Sequence, residues 1–281
     1  MTDPAPDPLD DPRLAAVAAG LDGGLVALDF DGTLAPIVRD PESSRPVDGA
    51  VDALRALAAR GTRIAFVTGR EAQTVIRLGG LEAIPGLLVD GVYGAQQVRG
   101  GALTVLPTPP EMAAARAEVD GVLAAAGADP DVWVEDKDVS FVVHTRLAVD
   151  PDAAFAQVAG PVTALVDRHG LEIHPGKQVL EVRVPGVDKG GALGDLLDEL
   201  DPATLLWAGD DLGDIPAFER LRAWREQTGR PAVGIGVRPA ASPDPLAGAD
   251  TDIDPRVAAV ADLVVDGPEA VAALLERLAA R

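Results

Sequence analysis

Short apolar runs that stop abruptly at small or acidic residues restrict the fold most. Leu25-Val26-Ala27-Leu28 opens into Asp29-Phe30-Asp31-Gly32-Thr33, and Arg63-Ile64-Ala65-Phe66-Val67 opens into Thr68-Gly69-Arg70. Leu205-Leu206-Trp207-Ala208 opens into Gly209-Asp210-Asp211, and further apolar runs follow at 232–237 and 263–265. Continuous apolar runs of this length read as strands buried on both faces, the mark of a parallel sheet. Between the first two, Val51, Leu54, Leu57 and Ala58 recur at helical spacing and Gly61 closes the helix. A second helix is expected from Lys189 to about 200. A third ends the chain, with Val271, Leu274, Leu275 and Leu278 at helical spacing. Strand, helix and strand in this alternation make a doubly wound sheet.

The middle of the chain breaks the rhythm. Pro107, Pro109 and Pro110 form a hinge-like stretch. A helix at 111–126, strands at 132–137 and 139–147, a helix at 151–169 and a hairpin of 171–174 with 177–184 around Pro175-Gly176 are then expected. That order suits an antiparallel sheet with helices on one face. The expected fold class is α/β: a Rossmann-like doubly wound parallel-sheet core (13–106 and 186–281) with an inserted α+β cap domain of antiparallel sheet and two helices (107–185). Residues 1–12, with four prolines and four aspartates, read as a disordered tail.

Charge and composition exclude several functions. Acidic residues number 45 against 24 basic, a net charge of −21, which argues against nucleic-acid or anionic-membrane partners, since both need a basic surface. The absence of cysteine removes disulfides, thiolate metal sites and cysteine nucleophiles. No apolar run approaches the ~20 residues that span a bilayer. The start, Met1-Thr2-Asp3-Pro4, lacks the features of a signal peptide, so a soluble cytoplasmic protein is expected. Lysine occurs only at Lys137, Lys177 and Lys189 among many arginines. A lysine in such a background marks a position where a compact point charge fits and a planar fork does not.

Ligands in open α/β sheets bind at the carboxyl ends of strands, and four such places carry chemistry here. Asp29 and Asp31 would repel each other unless a cation neutralised them, and Mg²⁺ takes hard oxygen ligands together with a substrate phosphate. Taken alone, the pair is also compatible with a strand-end turn. Thr68-Gly69-Arg70 offers a hydroxyl and backbone N–H groups to a phosphate oxygen, though most Thr-Gly pairs are only turns. Lys189 stands at a helix N-terminus against the helix dipole, which makes sense if it reaches an anion; otherwise it is a solvated lysine. Asp210, Asp211 and Asp214 again demand a cation, unless they form an acidic loop on an acidic protein.

Taken together in this order, the four motifs closely resemble those of the haloacid dehalogenase superfamily of phosphatases, some of which carry an α/β cap between the second and third. The resemblance extends to the trehalose-6-phosphate phosphatase family. It rests on Asp29 through Ile37, on Tyr93-Gly94-Ala95, on Glu135-Asp136-Lys137 with Ser140, His144 and Arg146, and on Gly176-Lys177 with Glu181 and Arg183. It covers the chain from about Gly24 to the last helix. Gly213 and Ile215 depart from the family's fourth motif, where Thr and Glu are expected.

Strand parity gives the inserted segment a charged face independently of that resemblance. Residues two apart share a face, so Glu135 and Lys137 align, as do Ser140, His144 and Arg146, and then Lys177, Glu181 and Arg183. Phe141, Val143, Leu180 and Val182 oppose them. The charged face is either a solvated sheet surface or a sugar-binding one. His169, His174, Tyr93 and the tryptophans read as structural or packing residues.

The resemblance implies a Mg²⁺-dependent phosphatase acting on a small-molecule sugar phosphate, trehalose 6-phosphate first. Asp29 is then the nucleophile, and Asp31 the acid and base. Thr68 and Lys189 bind the phosphoryl oxygens. The metal sits on Asp29, the Asp31 carbonyl and Asp210, with Asp211 and Asp214 in support. Gly69, Arg70, Glu135, Lys137, His144, Arg146, Lys177 and Glu181 bind substrate. A phosphatase for sucrose phosphate or a glycosyl phosphoglycerate, a phosphomutase, and a sugar-phosphate sensor remain as alternatives.

Overall fold

The structure, a computed structural model, describes residues 10–137, 139–176, 178–239 and 252–281. The chain divides into two compact units, Met1–Val105 with Asp188–Arg281, and Leu106–Val187. The first unit opens on α1 (Pro12–Ala19), where Asp11 caps the helix by accepting from the amides of Arg13 and Leu14. This helix starts inside the stretch expected as tail, because a capping carboxylate followed by proline favours a helix start; residues 1–9 lie outside the described residues. Next come β1 (Leu25–Leu28), α2 (Ala50–Ala59), β2 (Arg63–Val67), α3 (Ala72–Gly79) and β3 (Leu88–Gly91). A hairpin of β4 (Gln96–Arg99) and β5 (Ala102–Val105) follows, turning at Gly100 and Gly101, both at positive φ.

The second unit comprises α4 (Pro110–Ala125), β6 (Trp133–Asp136), β7 (Ser140–His144), α5 (Pro151–Arg168), β8 (Glu172–Gly176) and β9 (Val179–Arg183). Its strands lie in the order β6-β7-β9-β8, all antiparallel. Phe141, Val143, Leu180 and Val182 pack against Met112, Val119, Val158, Val162 and Leu165 of the two helices. Two details differ from expectation. First, β7 ends at His144, so Arg146 lies in an exposed turn and has left the strand's face. Thr145 turns the chain there, its hydroxyl donating to the Gln178 and Pro151 carbonyls. Second, β8 runs through Pro175 and Gly176, and the hairpin turns one step later, with Gln178 at φ +61°. Lys177 lies outside the described residues.

The chain then returns to the first unit through α6 (Lys189–Leu200), β10 (Leu205–Gly209), α7 (Ile215–Thr228), β11 (Ala232–Arg238), α8 (Pro255–Val260), β12 (Leu263–Asp266) and α9 (Gly267–Ala279). Among the described residues its sheet has eight strands, β12-β11-β10-β1-β2-β3-β4-β5. The first six are parallel; β4 and β5 run antiparallel. Alternate residues explain the two cores. Val26, Leu28, Ile64 and Phe66 face Leu14, Leu54, Leu57 and Leu275 on one side. Leu25, Ala27, Ala65 and Trp207 face Leu193, Leu196, Phe218 and Leu221 on the other. The chain winds one way from β1 through β2 to β3 and the opposite way from β10 to β12. The switch point between β1 and β10 is where such sheets leave a crevice at their carboxyl ends.

Candidate active site

Asp29 is the first residue past β1, and its amide donates to the Ala208 carbonyl at 3.0 Å, locking it beside the end of β10. The chain then folds back tightly, with Gly32 at φ +78°. A Cβ on Gly32 would lie 2.0 Å from Asp210 Oδ2, so only glycine lets the Asp210 carboxylate rest against this turn. The Thr33 hydroxyl donates to Asp210 Oδ1 at 3.2 Å. Asp29 and Asp210 are both buried.

Lys189 enters from the start of α6, which Asp188 caps through the amide of Gly191. Its Nζ lies 2.7 Å from Asp214 Oδ1, 3.0 Å from Asp29 Oδ1 and 3.9 Å from Asp211 Oδ1. A buried lysine at a helix N-terminus is thus offset by three carboxylates. The remaining oxygen of Asp214 accepts from the amides of Asp210 and Asp211, at 2.8 and 3.0 Å.

One ammonium does not neutralise this cluster. Burial pushes Asp29 up to about 8, against the pull of Lys189 and with Asp214 and Asp211 adding to the rise. Burial, then the charge of Asp29, drives Asp210 well above the usual carboxylate range. Burial raises Asp214 to about 6 despite Lys189. Burial opposes the charge on Lys189, but Asp214, Asp29 and Asp211 outweigh it and hold the ammonium well above its ordinary value. Carboxylates so reluctant to ionise call for a further positive charge, which a bound cation supplies. Asp29, Asp210 and Asp214 each offer an oxygen within 4.8 Å of the others. Both oxygens of Asp214 are already engaged, so Asp29 and Asp210 are the carboxylates with capacity for a metal. The all-oxygen donor set fits a hard divalent ion.

Thr68 follows β2, next to β1, and is buried. Its Oγ1 accepts from the Arg70 amide at 3.2 Å. A Cβ on Gly69 would meet the Tyr93 hydroxyl at 2.7 Å, so that phenol lies over the turn. Tyr93 (φ +57°) and Val92 (φ +48°) are both left-handed, which for a β-branched valine is a strained conformation. Tyr93, in the Tyr93-Gly94-Ala95 segment that carries part of the resemblance, thus packs against the Thr68-Gly69 turn of this site. Arg70 places its guanidinium on Asp31, with Nε 2.5 Å from Oδ2 and Nη2 2.7 Å from Oδ1. Ser44, which no motif marks, donates to Asp31 Oδ1 at 3.0 Å.

In the second unit, register places Glu135, Ser140, His144 and Glu181 on the sheet face opposite the helices. Glu135 Oε2 lies 2.9 Å from His144 Nε2 and 3.7 Å from Lys137 Nζ. Trp133 stacks parallel on His144 at 4.1 Å and is 44% exposed, an open aromatic surface that sequence reasoning assigned to packing. Glu181 is held by Arg183 at 2.5 Å. Arg146 does not join this face. Among the described residues no helix is long and apolar enough to cross a membrane.

Comparison with known proteins identifies the family. The trehalose-phosphatase family profile matches residues 27–244. The trehalose-phosphate phosphatase of Mycobacterium tuberculosis is 35% identical over 226 aligned positions, covering 73% of this chain and 54% of the relative. That of Mycobacterium avium is 30% identical, covering 94% and 65%. The chain thus spans between about half and two thirds of the length of these curated relatives. A trehalose-6-phosphate phosphatase structure from Aspergillus fumigatus superposes with TM-score 0.68 at 23% identity over 99% of this chain and 98% of the other. The C-terminal domain of the Candida albicans trehalose-6-phosphate phosphatase gives 0.68 at 23% over 96% and 97%; both matches bear on the fold. With a family profile matching most of its length and relatives above 30% identity, the chain belongs to the trehalose-phosphatase family.

Proposed function

We propose that this chain is a cytoplasmic Mg²⁺-dependent phosphatase that hydrolyses trehalose 6-phosphate to trehalose and phosphate. The observation that carries the reading is the buried cluster of Asp29, Lys189, Asp210 and Asp214 at the ends of adjacent strands, with Thr68 beside it. Asp29 attacks phosphorus, the bond to the sugar oxygen breaks, and an aspartyl-phosphate forms. Asp31 gives its proton to that oxygen and then takes one from the water that cleaves the intermediate. Thr68 Oγ1, the Gly69 turn and Lys189 hold the phosphoryl oxygens, and the lysine offsets their charge. Mg²⁺, held by Asp29, Asp210 and the Asp31 carbonyl, would neutralise charge between an anionic substrate and an anionic nucleophile. Asp214 fixes Lys189 and the Asp210-Asp211 backbone, and Asp211 adds negative charge near the ammonium. Glu135, Lys137, His144, Lys177 and Glu181 bind sugar hydroxyls, for which a mixture of donors and acceptors is suited.

The test is phosphate release across a panel of sugar phosphates, with and without Mg²⁺. Trehalose 6-phosphate should be hydrolysed fastest, excess EDTA should stop the reaction, and Asp29→Asn should abolish it. Equal rates on sucrose phosphate or glucose 6-phosphate would overturn the substrate, and full activity in excess chelator would overturn the metal. Phosphoryl transfer to sugar without free phosphate would make the protein a mutase.

A further inference from the structure

Phosphate binding does not account for the grip on Asp31. Both its oxygens are engaged, Oδ2 by Arg70 Nε and Oδ1 by Arg70 Nη2 and the Ser44 hydroxyl. The fork that grips it is itself fixed. Arg70 Nη1 donates to the Pro41 carbonyl at 2.9 Å, and the guanidinium carbon lies 5.9 Å from the centroid of the Phe30 ring. Phe30 is fully buried and meets Phe66 edge-on. The arginine's own amide is tied to Thr68 Oγ1. Ser44 is fully buried although it lies in the connection between β1 and α2. Segments after β1, before α2 and after β2 therefore converge on one carboxylate. A bidentate guanidinium adds geometric specificity that a point charge lacks. Each guanidinium nitrogen of Arg70 already donates to Asp31 or Pro41, which makes this side chain a poor candidate for a phosphoryl ligand.

We propose that Arg70 and Ser44 are positioning residues: they lock the Asp31 carboxyl group in the orientation from which it exchanges protons with the reacting oxygens. The inference rests on the phosphatase reading above. In the first step the Asp31 proton passes to the leaving oxygen as its bond to phosphorus breaks and the Asp29–phosphorus bond forms. In the second, a water proton passes to Asp31 as the water oxygen bonds to phosphorus and Asp29 is released. Arg70 acts through Asp31 in both steps and carries no proton itself.

Two aryl esters separate this role from a structural one, and neither needs a sugar. p-Nitrophenolate leaves with little help, whereas phenolate needs a proton. The quantity to measure is kcat/KM for phenyl phosphate and p-nitrophenyl phosphate at saturating Mg²⁺, which reports the steps up to release of the phenol. Arg70→Ala should lose roughly 10- to 100-fold on phenyl phosphate, part of the ~10²–10⁴-fold that general acid–base catalysis supplies, and less than about 3-fold on p-nitrophenyl phosphate. Arg70→Lys, which keeps charge but not the fork, should resemble Arg70→Ala. Ser44→Ala should show the same ester preference at a few-fold. In a background of Asp31→Asn, Arg70→Ala should cost nothing further, because groups acting as a unit are not additive. Equal losses on the two esters, or a full additional loss in the double variant, overturns the proposal. If Arg70→Ala does not melt as a folded protein, the ester ratio of Ser44→Ala decides. Failure of the unaltered protein to release phosphate from trehalose 6-phosphate and from both esters instead overturns the phosphatase reading itself.

Discussion

Asp90, next to last in β3, has its side chain fully buried, its Oδ1 2.8 Å from Arg99 Nη1, while Glu199 of α6 holds the Nε of the same arginine. Its other oxygen has no hydrogen-bond partner among the described residues. Burial raises Asp90 from its ordinary 3.8 to about 6 and outweighs the pull of Arg99. The folded protein then binds a proton that the unfolded chain has released, so this group's contribution is complete below pH 3.8 and lost as pH rises through about 6. Asp90→Asn should remove that dependence. Measured by urea unfolding, the stability of the unaltered protein relative to the variant should fall by about 2–3 kcal/mol between pH 4 and pH 7; a flat difference would mean that Arg99 keeps the carboxylate ionised throughout. Most side chains of the candidate site stand out in the sequence as candidates. Asp29, Asp210 and Asp214 follow apolar runs, and Lys189 is a rare lysine at a helix start. The clasp of Ser44 and Arg70 on Asp31 was not legible, because it depends on the direction of side chains from segments that local periodicity does not relate.

The elements that read clearly are those whose burial is uniform. β1 and β2 are apolar over nearly their whole length and have the bounds that their runs suggest. β4, with Gln96, Gln97 and Arg99 among its four residues, has no such pattern, and its place beside the buried β3 is a tertiary effect. α7 does carry a pattern, since its buried Ala217, Phe218, Leu221 and Trp224 stand at helical spacing, but the stripe is narrow and lies among charged residues. In the second unit alternation was enough to assign faces, but not to find where β7 stops, since Thr145 continues the alternation while its hydroxyl turns the chain. The turn after β1 gives the sharpest test at this scale. Gly32→Ala puts a methyl group into the space of the Asp210 carboxylate at a backbone angle alanine tolerates poorly. The expected outcome is a Mg²⁺ requirement raised at least about 10-fold, equivalent to about 1.4 kcal/mol, with the melting temperature lowered by only a few degrees. An unchanged Mg²⁺ titration would show that Asp210 is free to move.

At the scale of the whole molecule, the second unit is one uninterrupted stretch with its own core, built from two helices and one face of a four-stranded sheet. A fragment of residues 106–187 should therefore unfold cooperatively by circular dichroism. Within it Phe141→Ala, at a fully buried position, should cost about 3–5 kcal/mol; a fragment with no thermal transition would show that its core needs the rest of the chain. The first unit has the opposite construction, because β1 pairs on one side with β10, whose residues come after the whole second unit. During synthesis, at about 5–20 residues per second, the open edge of β1 must wait roughly ten seconds or more for that partner. By then the second unit is complete and can fold on the ribosome. The nascent first unit meanwhile exposes an apolar strand with one neighbour missing. A chaperone that shields such edges would protect this chain most in that interval, before residue 205 has emerged.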